Sequence, residues 1–256
     1  MFRIFSNLCF CLPFSLFLYI IQWKKKTIRR NLALIKLQKH FSYFKFYHNA
    51  STDFLAFLLS LNQKKVFLCT RDLAKLRGLQ NSGGLLLSAH YHNWELIGAW
   101  FASKGIPLIS LTKPMKNSFW NSTLARIRGK KQMNTLNSVS FYNVANAIKE
   151  KSIFGILLDQ RNLKNSVKNK FFGHTIRQSA LAELLYKKTN CPCYFIIALP
   201  NHQFRLIQLF GESSKTHKNL TARYNRVLET LVKSEPHYWY GLTHKIFKIK
   251  TFDPYS

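Results

Sequence analysis

The stretch GGLLLSAHYHNWELIGAWFASKG, residues 83–105, decides the fold. Leu85 to Leu87 is an apolar run too short for a helix; preceded by two glycines, it reads as a buried strand. NWELIGAWFASKG then reads as a helix that ends near Gly105. The same change of texture recurs downstream. PLISLT (107–112) is a strand, Phe119 to Ile127 a helix, and VSFYNVANAIKEK a helix entered from a short strand. SIFGILLDQ is a strand ending at Asp159, QSALAELLYKKTN a helix, and CPCYFIIALP a strand. FRLIQLF is an antiparallel or edge strand, and LTARYNRVLETLVKSEP a final long helix. Strands alternating with helices predict an α/β fold, with a mixed, mostly parallel sheet flanked by helices. Upstream, residues 27–61 show helical spacing, with Asn49 to Thr52 as a turn that caps the second of two helices.

Working outward, the N-terminus and the charge set the surroundings. From Ile4 to Trp23 there is no charged residue, and KKKTIRR follows at once. Helix over that run would rise about 30 Å, enough to cross a bilayer core. A cleaved signal would carry its cations in front and a small-residue site behind, the reverse of this order. The expectation is a membrane helix within residues 1–26, with residues 27–256 as the catalytic domain on the cytoplasmic side. Pro13, Ser6, Asn7 and Ser15 leave an interfacial segment as the alternative. The 256 residues carry 39 Lys and Arg against 10 Asp and Glu, a formal net charge of +29, which calls for a polyanionic partner. An apolar N-terminus favours anionic lipid over nucleic acid. Cys9, Cys11, Cys69, Cys191 and Cys193 form no Cys-x-x-Cys pair, which suits a reducing compartment and gives no sign of a metal site.

In such a sheet, functional groups collect where strands end and helices begin. His90 lies just past the Leu85–Leu87 strand and Glu95 opens the next helix. That spacing can return the Glu95 carboxylate to one imidazole nitrogen, which fixes the tautomer and raises the basicity of the other. The product is a general base able to take a proton from an alcohol. The spacing alone is weak, because His48 and Asp53 repeat it. That second pair has no apolar strand before it, and Asp53 reads as a first-turn helix residue. His92 is out of phase with the spacing, and His244 has no motif partner.

AHYHNWELIGAW resembles the His-x4-Asp/Glu signature of the glycerolipid acyltransferase superfamily, and more narrowly the lauroyl and myristoyl transferases of lipid A biosynthesis. Further landmarks of that family fall in the same order: IRRNLAL (28–34), KPMKNSFWNSTLARIRG (113–129), GILLDQR (155–161), KFFGHTIR (170–177) and EPHYWYGLTHKIFK (235–248). Five landmarks in sequence are far more specific than one.

The resemblance implies a glycerolipid acyltransferase-like fold, with His90 as general base and Glu95 as its partner. Arg126 or Arg128 would take the family's arginine position, suited to a phosphate or an oxyanion. Lys113 replaces the usual arginine before the proline, and Asp159 with Gln160 would lie near the same pocket. The implied partners are acyl carrier protein as donor, and a lipid A precursor or related anionic lipid as acceptor at the bacterial inner membrane. No metal or bound cofactor is called for. Acylation of another phospholipid or glycolipid with the same catalytic pair is the alternative. A non-enzymatic basic membrane or nucleic-acid-binding protein would leave His90 and Glu95 unexplained.

Overall fold

The computed structural model describes residues 12–59, 66–112, 117–136, 140–200, 202–210 and 219–247. Nine strands are assembled among them: β1 (Phe67–Leu68), β2 (Gly84–Ser88), β3 (Leu108–Leu111), β4 (Asn134–Leu136), β5 (Ile153–Leu157), β6 (Ser166–Phe171), β7 (His174–Ser179), β8 (Cys193–Ala198) and β9 (Gln203–Phe210). Seven form one sheet in the order β1-β9-β8-β2-β5-β3-β4. The pairings from β8 through β2, β5 and β3 to β4 are parallel, and β9 alone pairs antiparallel, with β8. This is the expected mixed, mostly parallel sheet, and FRLIQLF is its antiparallel strand.

The helices are α1 (described over 12–20), α2 (Lys25–Ile35), α3 (Tyr43–Leu58), α4 (Thr70–Ser82), α5 (Trp94–Ser103), α6 (Ser118–Lys130), α7 (Phe141–Lys149), α8 (Leu181–Thr189) and α9 (Leu220–Ser234). They cover both faces of the sheet, so the central strands are buried throughout. Leu85, Leu87, Phe154, Ile156, Phe195 and Ile197 point to one core, against α2, α3, α7, α8 and α9. Leu86, Ile153, Tyr194 and Ile196 point to the other, against α4 and α5. Period-two alternation thus divides each apolar run between two cores. Gly83 and Gly84 start β2 with φ of 72° and 151°, and a Cβ on either would meet backbone carbonyl oxygens, so only glycine fits this entry.

Three expectations change. The turn at Asn49–Thr52 is absent, and α3 runs through it. Ser51 Oγ donates to the Tyr47 carbonyl (2.8 Å) and Thr52 Oγ1 to the His48 carbonyl (2.9 Å), so these hydroxyls bond back along the helix. The break falls earlier, at the 3₁₀ turn Gln38–His40 and the cap Ser42, whose side chain accepts from the Lys45 N–H. KFFGHTIR forms the β6–β7 hairpin, with Phe172 and Gly173 both at positive φ in its turn. Finally, no helix among the described residues is long and apolar enough to cross a membrane. Residues 4–11 of the apolar run lie outside the described residues. Helix α1 packs on α3 through Tyr19 against Phe44 and Tyr47, and leaves Leu16, Phe17 and Ile20 exposed.

Candidate active site

Strand register builds the site. Ser88 at the end of β2 faces Leu157 at the end of the parallel neighbour β5. His90 and Asp159 each lie two residues further on, so they emerge side by side at the carboxyl edge of the sheet. His90 Nδ1 and Asp159 Oδ1 are 2.7 Å apart, and the His90 backbone N–H donates to Asp159 Oδ2 at 3.0 Å. Trp239 Nε1 donates to the same Oδ2 at 3.0 Å. The carboxylate is fully buried, while the imidazole keeps 17% of its surface. Three donors compensate the buried negative charge.

The carboxylate on the imidazole is therefore Asp159, and the expected bond from Glu95 is not made. Glu95 turns instead to Arg128 of α6, with Oε1 2.5 Å from a terminal guanidinium nitrogen and Oε2 3.3 Å from Nε. The reason is geometric. Asp159 reaches Nδ1 from the adjoining strand end, and the fork of Arg128 offers Glu95 a two-point partner. Glu95 still acts on the imidazole at longer range. Burial disfavours the charged ring, but the attraction and hydrogen bond of Asp159, with the charge of Glu95 added, outweigh it and raise the His90 pKa above the ordinary value of 6.5. Burial likewise pushes Asp159 upward, and His90 with the Trp239 bond more than reverses this, holding the carboxyl below its ordinary range.

With Nδ1–H donated to Asp159, the lone pair lies on Nε2. The Gln160 amide nitrogen is 3.3 Å from His90 Nε2 and 3.3 Å from His244 Nε2. His244 is placed from a distance: Asn31 of α2 donates to the carbonyls of Leu242 (2.7 Å) and His244 (2.8 Å). Burial and the charge of His90 lower the His244 pKa, which favours a neutral ring beside the base. Trp94 packs edge-on against His90 at 5.1 Å between centroids.

A second carboxylate braces the loop. Asp53 Oδ2 accepts from Tyr240 Oη (2.6 Å) and lies 2.9 Å from His92 Nδ1, while Asn93 Nδ2 donates to the Asp53 carbonyl. His92, at φ 45°, also has its N–H on the Tyr238 carbonyl, and the Tyr240 N–H bonds the His90 carbonyl. The His90–His92 segment is thus pinned between α3 and residues 238–240. Asp53, read from sequence as a helix-end residue, supports the site, and Trp239, Tyr240, His244 and Asn31 join it unannounced. The one sequence signal for them was their place inside family landmarks.

Among the other expected residues, Arg128 lies beside the site through Glu95, Arg126 is exposed on α6, and Lys113 lies outside the described residues. Ile246, one candidate for the C-terminal arginine position, is core. Among the described residues no group of three His, Cys, Asp or Glu is arranged to hold a metal ion. A pocket of about 550 Å³ opens between α5, α6 and strands β2, β3 and β5, with Trp94, Glu95 and Arg128 in its wall. Set together, a carboxylate-held imidazole and an adjoining apolar pocket suit proton abstraction beside a hydrocarbon substrate. The chain matches the sequence model of the family described as bacterial lipid A biosynthesis acyltransferase over residues 63–248. No curated protein matches it.

Proposed function

We infer the activity from a plain premise: the chain belongs to the bacterial lipid A biosynthesis acyltransferase family. The reaction moves a fatty acyl chain from an acyl carrier protein thioester to a hydroxyl of a lipid A precursor. His90 Nε2 takes the hydroxyl proton as the oxygen attacks the thioester carbonyl. The tetrahedral intermediate collapses, the C–S bond breaks, and the leaving thiolate takes the proton back from the imidazolium. Asp159 holds the tautomer and stabilises the imidazolium. Glu95 adds to that field and fixes Arg128, whose charge serves the developing oxyanion or an acceptor phosphate.

The single observation that carries this reading is the buried Asp159 on His90 Nδ1, which leaves Nε2 as the basic nitrogen beside an apolar pocket. The enzyme works at the cytoplasmic face of the inner membrane, held by residues 1–26, while the rest of the chain forms the catalytic domain. Two features support that placement: the exposed apolar side chains of α1 and a formal charge of +29. The same cations suit an acidic carrier protein. The test is to incubate membranes containing the protein with acyl carrier protein thioesters and a tetra-acylated lipid A precursor. A mass gain of one acyl chain, lost in His90→Ala, is expected. No gain, or equal gain in the variant, would overturn the assignment.

A further inference from the structure

Two glycines stand where secondary structure is weakened by glycine: Gly98 inside α5 and Gly155 inside β5. Neither has a positive φ, so backbone conformation does not require them. They line the same pocket. A Cβ on Gly98 would collide with Cε of Met133, and one on Gly155 would come within 3.2 Å of Leu108 Cδ1 and 3.3 Å of Ser110 Oγ. What both positions have in common is the space they leave open.

The shape of that space points to its occupant. At one end are Trp94, which packs on His90, and the mutually neutralising pair Glu95 and Arg128. From there the pocket follows β3 from Thr112 down to Leu108, about 13 Å at strand rise. Its inner wall is hydrocarbon, with Leu86, Ile97, Ile156 and Ile196, and the Ser88 hydroxyl there is already bonded to the Ile196 carbonyl. A narrow apolar slot without an inner charge suits an unbranched alkyl chain and offers a head group nothing to bind.

We propose that this slot takes the acyl chain of the donor thioester and that Met133, lying across Gly98, sets how long a chain fits. The proposal rests on the acyl-transfer reading and adds the residues that select the donor. Met133 is unbranched and its tip is movable, so it forms a stop that substitution can shift in either direction.

The experiment uses the full chain in membranes, one tetra-acylated acceptor and a series of saturated acyl carrier protein thioesters of increasing length. Its readout is the ratio of kcat/KM for the longest accepted chain to that for the shortest. Gly98→Leu should lower this ratio about tenfold or more, and Met133→Ala should raise it about tenfold, the discrimination a pocket obtains from a few methylene groups. In parallel, binding of non-hydrolysable acyl-pantetheine thioethers is followed by calorimetry. Affinity should climb with chain length and stop climbing at a length that Gly98→Leu shortens and Met133→Ala extends. Ratios and break points identical to wild type in both variants would overturn the proposal and leave the acyl-transfer reading standing. Shifted break points without any wild-type transfer would keep the slot as an acyl site and remove the reaction assigned to it.

Discussion

Asparagine at position 159 separates the two carboxylates that could serve His90. Asp159 accepts Nδ1–H on Oδ1, and both the His90 N–H and the Trp239 Nε1–H on Oδ2. Asparagine keeps the shape but offers one acceptor oxygen and one NH2. If the NH2 faces Nδ1, the imidazole must accept there, its proton moves to Nε2, and the base is lost. If the NH2 faces the other way, two buried donors meet a donor, at about 1–3 kcal/mol each. In both cases the imidazolium formed during reaction loses its counter-charge. At about 4 Å and an effective dielectric of about 20, that attraction is roughly 4 kcal/mol. Each 1.36 kcal/mol is about tenfold, so Asp159→Asn should lower kcat/KM for acyl transfer by about 10²–10⁴. Glu95→Gln leaves the Nδ1 bond in place and weakens a partly exposed pair with Arg128, so about tenfold is expected. The assay is single-acceptor transfer read by mass, with thermal melts to certify folding. A Glu95→Gln loss equal to or larger than that of Asp159→Asn would refute the assignment of Asp159 as the carboxylate of the base.

Three further outcomes follow from the same geometry. The acid limb of log kcat/KM against pH should have its midpoint above 6.5: the base works when neutral, and Asp159 and Glu95 keep it protonated to higher pH than an ordinary histidine. A midpoint below 6.5 counts against that electrostatic account. Asp53→Ala strips the acceptor from Tyr240 and His92, roughly 2–4 kcal/mol, and should lower Tm by about 5–15 °C. Tyr240→Phe removes one bond and should cost about a third of that by the same calorimetry. Deleting residues 1–23 removes the exposed apolar surface of α1, so the truncated protein should leave vesicles at high salt while the full chain stays bound. Full retention of the truncated form at high salt would make the basic surface sufficient.

The strands were legible because their apolar runs are short and bounded, and His90 stood out because it follows one of them. The same reasoning had Asp159 within reach, since it too follows an apolar strand. What a single sequence cannot supply is the order of strands: β5 comes after β3 and β4 in the chain, yet lies beside β2 in the sheet. Without that adjacency, the nearest carboxylate in sequence, Glu95, looked like the partner. The Asn49–Thr52 turn failed for a local reason, because hydroxyls that cap a helix can also bond back within one. Asp53 was set aside for want of a preceding strand, a criterion that finds bases and overlooks the residues that brace them.

Gln160 gives the remaining test of how the two imidazole nitrogens divide their work. Its amide nitrogen lies 3.3 Å from His90 Nε2, where it donates to the lone pair that the base would use. A hydrogen bond donated to that lone pair favours the neutral ring, whereas the carboxylate on Nδ1 favours the charged one. Substitutions on the two sides should therefore move His90 in opposite directions. Gln160→Ala should shift its titration to higher pH, and Asp159→Asn should shift it lower, both followed by NMR of the imidazole without any substrate present. The Ala variant should also relax the competition that a substrate hydroxyl meets at Nε2, so its KM for the acceptor should fall or hold while the acid limb moves upward. Movement of both variants in the same direction would mean that Gln160 presents its oxygen to Nε2. The proton would then reside on that nitrogen in the resting enzyme, and a substrate would have to displace it before the base could act.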